Sequence, residues 1–243
     1  MGFYENIGLP DRAKIDRVIH KTDFYRNAGL SSADKKQFEA IEKIRWLYAM
    51  KMENTNIQPY KDEIRDYPEI EVIEVKLRGE KKLDRLAEII MRAIPYPMLL
   101  VFNLDDKYQL WMGKLRQNQL DSTGMVLEST EHTDWLDCQK EFWKKLDMTK
   151  ISAMDFCALY EAWFDTISKS HLEQVNIIDD KMTGDEARAI KERLDGIEKQ
   201  ITSLRSKLKR ESQSNRKIEL NMQIQNLKKE KKKILEQGSR EDD

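Results

Sequence analysis

The chain has 243 residues, with 43 Lys or Arg against 44 Asp or Glu and a net charge of -1, so total charge selects neither an anionic nor a cationic partner. Charged residues make up 36% and apolar residues 40%, a balance richer in charge than an ordinary globular chain and one that predicts a modest core plus a long solvated element. The longest apolar run, Pro97 to Phe102, falls far short of the ~18 residues that cross a membrane, Met1 to Pro10 lacks a signal-peptide core, and Cys138 and Cys157 read as reduced thiols; the expectation is a cytoplasmic protein without membrane association.

Residues 1–30 are predicted to be irregular, apart from a partly helical stretch at Lys21-Thr22-Asp23-Phe24-Tyr25. Ser31 or Ser32 can cap a helix with Asp34 in its first turn. Phe38, Ile41, Ile44 and Tyr48 then recur at three- and four-residue steps, which predicts one amphipathic helix through about Met50. Asn54, Asn56, Pro59 and Pro68 mark residues 51–68 as loop. Ile70 to Leu77 is a strand broken by Gly79. Leu83, Leu86, Ile89, Ile90 and Ala93 trace a helix stopped by Pro95 and Pro97. Met98 to Leu104 is apolar almost throughout and reads as a central strand. Asp105-Asp106-Lys107 turns it into an antiparallel partner carrying Tyr108, Leu110, Met112 and Leu115. Met125 to Glu128 is a third strand or an edge, and Trp135, Phe142 and Trp143 cover the sheet. Residues 1–150 therefore read as an α+β domain, a small mixed sheet with flanking helices. Residues 151–183 form a connecting segment, helical from Met154 to Ile167.

From residue 184 the texture changes. Ala187, Ile190, Leu194, Ile197, Ile201, Leu204 and Leu208 form a heptad seam, the pattern of a coiled-coil arm. Between Lys209 and Lys217 no apolar residue occurs. The seam then resumes at Leu220, Ile224, Leu227 and Ile234 in a shifted register. One long helix with a stutter would need a partner, most simply a parallel homodimer. An antiparallel hairpin turning around Ser212-Gln213-Ser214-Asn215 buries each stripe against the other, and this arrangement is favoured for residues 184–237. Residues 238–243 are expected to be a disordered tail.

Charge is polarised along the chain. Between Arg205 and Lys233 lie eleven basic and three acidic residues, an excess of +8 that leaves -9 for the rest. A basic stripe of this kind can contact phosphates or an acidic protein surface. The candidate contact residues are Lys209, Arg210, Arg216, Lys217, Lys228, Lys229 and Lys231. The bland reading is a solvated outer face of a helical arm.

Catalytic motifs are few. No glycine pair has the spacing of a phosphate-cradling loop, no G-x-S-x-G elbow occurs, and His20, His132 and His171 form no H-E-x-x-H pair. His132-Thr133-Asp134 reads as an exposed loop rather than a zinc edge, and Cys157 reads as a buried inert thiol. No cofactor and no resident metal are expected. The single constellation with chemical content is Glu74-Val75-Lys76 on the first strand, with Asp66 or Glu69 upstream. Residues i and i+2 share a strand face, so Glu74 could hold Mg²⁺ while Lys76 steadies an attacking water, as in restriction-type nucleases. The alternative is a polar strand face, Glu71, Glu74 and Lys76, turned to solvent.

Several stretches, in order, are similar to a bacterial family, domain of unknown function 4391. They are Lys21-Thr22-Asp23-Phe24-Tyr25, Ile41-Glu42-Lys43-Ile44-Arg45-Trp46 with Thr55-Asn56-Ile57, Glu69-Ile70-Glu71-Val72-Ile73-Glu74-Val75 and Ala93-Ile94-Pro95-Tyr96-Pro97. Thr133-Asp134-Trp135, Ala158-Leu159-Tyr160 and Asn215-Arg216-Lys217-Ile218-Glu219-Leu220-Asn221 complete the set. The resemblance implies a gene placed beside SNF2-like helicases and DNA methyltransferases in restriction-like or phage-defence clusters. It therefore implies a non-catalytic accessory or adaptor subunit with such a helicase or methyltransferase as partner, and supplies no catalytic residues. On that reading the basic arm grips a protein, with DNA contact as a further candidate. The metal-dependent nuclease with Glu74, Lys76 and Asp66 is the alternative.

Overall fold

The computed structural model describes residues 3–118, 125–137, 141–173 and 182–237; Cys138 and the tail 238–243 lie outside them. The chain divides into two compact units, Met1–Ile167 and Ser168–Asp243.

The first unit is built on a seven-stranded sheet. Its elements in order are α1 (Phe3–Asn6), β1 (Lys14–Ile19), α2 (Lys21–Asn27), α3 (Ser32–Gln37), β2 (Ile41–Met50), α4 (Met52–Thr55), β3 (Tyr60–Lys61), β4 (Asp66–Tyr67) and β5 (Ile70–Leu77). Then follow α5 (Leu83–Ala93), β6 (Met98–Leu104), β7 (Lys107–Gln117), β8 (Met125–His132), β9 (Leu136–Asp137), α6 (Phe142–Lys145) and the part of α7 (Phe156–Glu173) up to Ile167. The strand order is β1-β2-β5-β6-β7-β8, with β9 also on β7, and β3 pairs with β4 apart from the sheet. Every neighbouring pair is antiparallel except β5–β6. That parallel pair needs a crossover, and α5 supplies it.

Both faces of the central strands are covered, which is why their sequences are apolar at consecutive positions. Ile70, Val72, Leu99, Val101, Leu110 and Met112 face one core with α7 residues Phe156, Tyr160, Trp163 and Phe164. Ile73, Val75, Leu100, Phe102 and Trp111 face the other, beneath Leu86, Ala87 and Ile90 of α5. Tyr160 fixes α7 to the sheet: its hydroxyl accepts from Gly113 N at 3.2 Å and lies 2.9 Å from Gly113 O and 3.2 Å from Met98 O. Because Phe156 to Ile167 belong to this core, the first compact unit extends well past residue 150. The β6–β7 turn uses Asp105 and Asp106 at φ +49° and +61°, the mirror-image turn that suits strand twist.

The helix expected from residue 31 to about Met50 is not formed. Helix α3 stops at Gln37, a single 3₁₀ turn spans Phe38–Ala40, and residues 41–50 are strand β2. The cause lies in the pairing with β5. Its register slips between Ile41 and Lys43 and again between Trp46 and Tyr48. Each bulge inserts one residue, so buried Ile41 and Ile44 stand three apart, and a strand acquires helical spacing. The irregular stretch expected before residue 30 also contains β1, a short edge strand with only two partly covered residues. Helix α2 occupies the segment expected to be helical.

In the second unit α8 (Gly184–Arg210) and α9 (Ser214–Gln237) pack as a hairpin. Helix α8 begins in a capping box in which Thr183 and Glu186 satisfy each other's backbone N–H groups. Ile197, Ile201, Ile224 and Ile234 are its buried seam, flanked by Leu194, Leu204, Leu208 and Leu227. Arg193–Glu230 at 2.9 Å and Lys231–Glu198 bridge the helices. The turn contains neither Gly nor Pro. Instead the Glu211 carboxylate accepts from Ser212 N at 2.8 Å and Gln213 N at 2.9 Å. Those backbone donors hold the Glu211 carboxyl below the usual carboxylate range, helped by Arg216 and Lys217. No helix among the described residues is long and apolar enough to cross a membrane.

Candidate functional site

The hairpin turn gathers basic side chains that lie within nine residues of sequence, Lys209 to Lys217. Lys209 and Arg210 end α8, while Arg216 and Lys217 open α9, so a three-residue turn brings four exposed cations together at the tip. Arg205 and Lys207 continue the cluster down α8. Lys207, Arg210 and Arg216 line a shallow depression of about 380 Å³ there, together with Glu211, Glu219, Leu220 and Gln223. None of Lys209, Arg210, Arg216 or Lys217 has an ion-pair partner among the described residues. Lys228 and Lys229 are also exposed, further along α9, whereas Lys231 is partly buried and spent on Glu198. Beside the tip, Ile218 and Met222 are 59% and 62% exposed. They stand four apart on one helix face, so this end offers apolar surface as well as charge.

The strand constellation is dispersed by the fold. Glu74 is buried, and its carboxylate accepts a hydrogen bond from the Tyr4 hydroxyl at 2.7 Å. Burial raises the Tyr4 pKa well above its ordinary value, and the neighbouring Glu74 raises it further. Lys76 is exposed and pairs with Glu42 at 3.0 Å. Asp66 sits in the β3–β4 ribbon, paired with Lys61 and 3.3 Å from Gln117 Nε2. Glu69 pairs with Lys51 at 2.9 Å on the sheet face opposite Glu74. No group of three His, Cys, Asp or Glu side chains suited to a metal ion occurs among the described residues. The solvated polar face, the bland reading of this strand, holds for Lys76 only, since Glu71 and Glu74 are both buried.

His132 is not on a loop: it ends β8 and stacks on Trp111 with ring centroids 4.2 Å apart. Cys157 is buried, receives Arg65 Nη1 at 3.4 Å, and has its thiol pKa pushed up by burial.

Sequence reasoning missed a cavity of about 540 Å³ at the entrance to β5. Phe24, Ile73 and Ile94 give it apolar walls, Trp46 and Tyr96 give it aromatic surface, and Asp23, Lys51, Glu69 and Glu71 reach it. Glu71 is 2% exposed. One of its carboxyl oxygens accepts from Trp46 Nε1, which also lies 3.1 Å from Tyr48 O. Burial pushes the Glu71 carboxyl up to about 7, against the opposing pull of the Trp46 hydrogen bond, and nearby Glu69 adds to the rise. The signal that could have found it is the parity of the strand. Glu71 and Glu74 are three apart, so they fall on opposite faces, and a central strand covered on both sides must bury both.

Comparison with curated proteins and with solved structures returns no match. A family model described as domain of unknown function (DUF4391) matches residues 7–230, a span that takes in the whole sheet and both helices of the hairpin as far as Glu230, and the chain belongs to that family.

Proposed function

We propose that this protein is a non-catalytic accessory subunit of a bacterial helicase–methyltransferase, restriction-like defence system, and that it grips its partner with the tip of the helical hairpin. The observation that carries the reading is the cluster of Lys209, Arg210, Arg216 and Lys217, exposed and without ion-pair partners among the described residues. Glu211 and Glu219 offset only part of this charge, and the excess of like charge held by a short turn is relieved by an anionic surface. The exposed pair Ile218 and Met222 beside them favours an acidic protein surface with an apolar spot over a bare phosphate backbone, which offers no apolar contact.

The test is co-purification of the tagged protein with a SNF2-like helicase and a DNA methyltransferase of the proposed system, at low salt, with and without nuclease treatment. The full chain should retain a partner after nuclease treatment. The variant with Lys209, Arg210, Arg216 and Lys217 all changed to Glu should lose at least tenfold of that association. Unchanged association would remove the proposal. So would Mg²⁺- or Mn²⁺-dependent DNA cleavage abolished by Glu74→Ala.

A further inference from the structure

The cavity at the entrance to β5 has no part in the reading above, and its chemistry is specific. Of its four ionisable side chains from Asp, Glu and Lys, three are acidic, and the single cation, Lys51, is already paired with Glu69 at 2.9 Å. Glu71 is almost wholly inside the protein, yet only one of its oxygens has a hydrogen-bond partner among the described residues, the indole N–H of Trp46. The other Glu71 oxygen opens onto the cavity, since Gln37 Oε1 is the buried side-chain atom left without a partner among the described residues, and a carboxylate largely removed from bulk water gains from a counter-ion placed beside it. Ca²⁺ and Mg²⁺ take six or more oxygen ligands, no group of three His, Cys, Asp or Glu suited to a metal occurs among the described residues, and the cavity's apolar and aromatic walls include Phe24, Ile73, Ile94 and Trp46. An ammonium ion holds its water tightly, whereas a delocalised planar cation is weakly hydrated and lies well against aromatic rings.

We propose that this cavity binds a flat organic cation, an amidinium or guanidinium carried on an apolar stem, with Glu71 as its counter-ion and Trp46 and Tyr96 supplying aromatic surface. The groups that face Glu71 are Glu69 and Lys51 at the mouth, Asp23 from α2 and Tyr96 from the turn before β6; α5 contributes only Ala93 to the lining. Binding a cation requires Glu71 to be ionised, so affinity rises with pH until the carboxyl is fully deprotonated. With a carboxyl at about 7, the ionised fraction and hence the affinity should grow roughly tenfold from pH 6 to pH 8.

The experiment is calorimetric titration of the full chain at both pH values. One arm uses benzamidine, a free small molecule. A second arm uses an acetylated Gly-Arg-Gly amide, which stands for an arginine side chain of another protein. A third uses adenosine and guanosine, neutral bases that also present N–H donors. Benzamidine or the peptide should bind, about tenfold tighter at pH 8 than at pH 6. Glu71→Gln, isosteric with the protonated side chain, should lose at least tenfold of the affinity at pH 8 together with its pH dependence. Lys51→Ala, on the surface, frees Glu69 and should tighten binding severalfold. The tighter of the first two arms identifies the source of the cation. The proposal is overturned if neither cation binds at pH 8, if Glu71→Gln binds as well as the unaltered chain, if Lys51→Ala weakens binding, or if only the nucleosides bind.

Discussion

In the sheet unit, Asp34, Glu71, Glu74 and Glu131 are all buried, while in the α8–α9 hairpin the buried side chains are Ala187, Ile197, Ile201, Ile224 and Ile234, and charge is left to the outside. The contrast follows from the number of faces that each architecture covers. A sheet with helices on both sides leaves its central strands no solvent face, so a polar residue there must find a fixed partner. Glu74 finds Tyr4 and Glu71 finds Trp46. On α3, the Asp34 carboxylate accepts from Ser31 N and Oγ in a capping box and takes a two-point contact from Arg85, at 2.9 and 3.1 Å. Two helices share a single seam, so most of each helix surface remains available for charge at little cost. The sheet unit holds polar groups in set positions, as a ligand site requires, and the hairpin displays them, as a docking surface requires.

The largest effect should come from the sheet core. Trp163 is fully buried and donates to Leu146 O at 2.9 Å. Trp163→Ala opens a large cavity and orphans that carbonyl, and should cost about 3–5 kcal/mol, measured by urea unfolding followed through the remaining tryptophans. A loss under about 1 kcal/mol would mean that α7 does not belong to this core. The hairpin should yield less: Ile197→Ala removes one seam residue with few neighbours and should cost about 2 kcal/mol of hairpin stability. All five tryptophans, at 46, 111, 135, 143 and 163, lie within residues 1–167. Far-ultraviolet ellipticity should therefore melt at lower urea in this variant while tryptophan fluorescence keeps its transition. If fluorescence shifts equally, the two units unfold as one and the contrast drawn above loses its energetic content.

The same contrast explains what could be read without coordinates. The hairpin was legible because its seam repeats over many turns, so Ala187 to Leu208 and Leu220 to Ile234 announce two stripes and the polar gap announces the turn. Strands β5, β6 and β7 and helix α5 were legible from apolar runs bounded by Gly79, Pro95, Pro97 and the Asp105-Asp106 turn. Strand β2 was not, because two bulges gave Ile41 and Ile44 a helical interval. Glu74 was seen as a candidate and Glu71 only as part of a face turned to solvent, and the partners of both were invisible: Tyr4 lies 70 residues from Glu74 and Trp46 lies 25 from Glu71, separations that no local pattern records. The cavity was hidden for the same reason, since its lining comes from β1, α2, β2, β5 and the end of α5.

The finest test of the contrast is the effect of pH on the sheet unit. Glu71 has a folded-state pKa of about 7, raised by burial, above the roughly 4.3 of an exposed glutamate. A carboxyl shifted upward favours the folded state when protonated, so its contribution is fully present below about pH 4 and is lost as pH rises through 7. At pH 8 the folded unit holds a buried carboxylate at a cost on the order of 3 kcal/mol, the Trp46 hydrogen bond and nearby Lys51 being already included in the shift. Glu71→Gln removes that cost. It should raise the thermal midpoint at pH 8, leave it nearly unchanged at pH 4, and leave the hairpin's ellipticity alone at both. A variant that is equally destabilised at both pH values would show that the carboxylate is held by partners as fully as Glu74 is, and that the polar groups of the sheet unit are structural throughout.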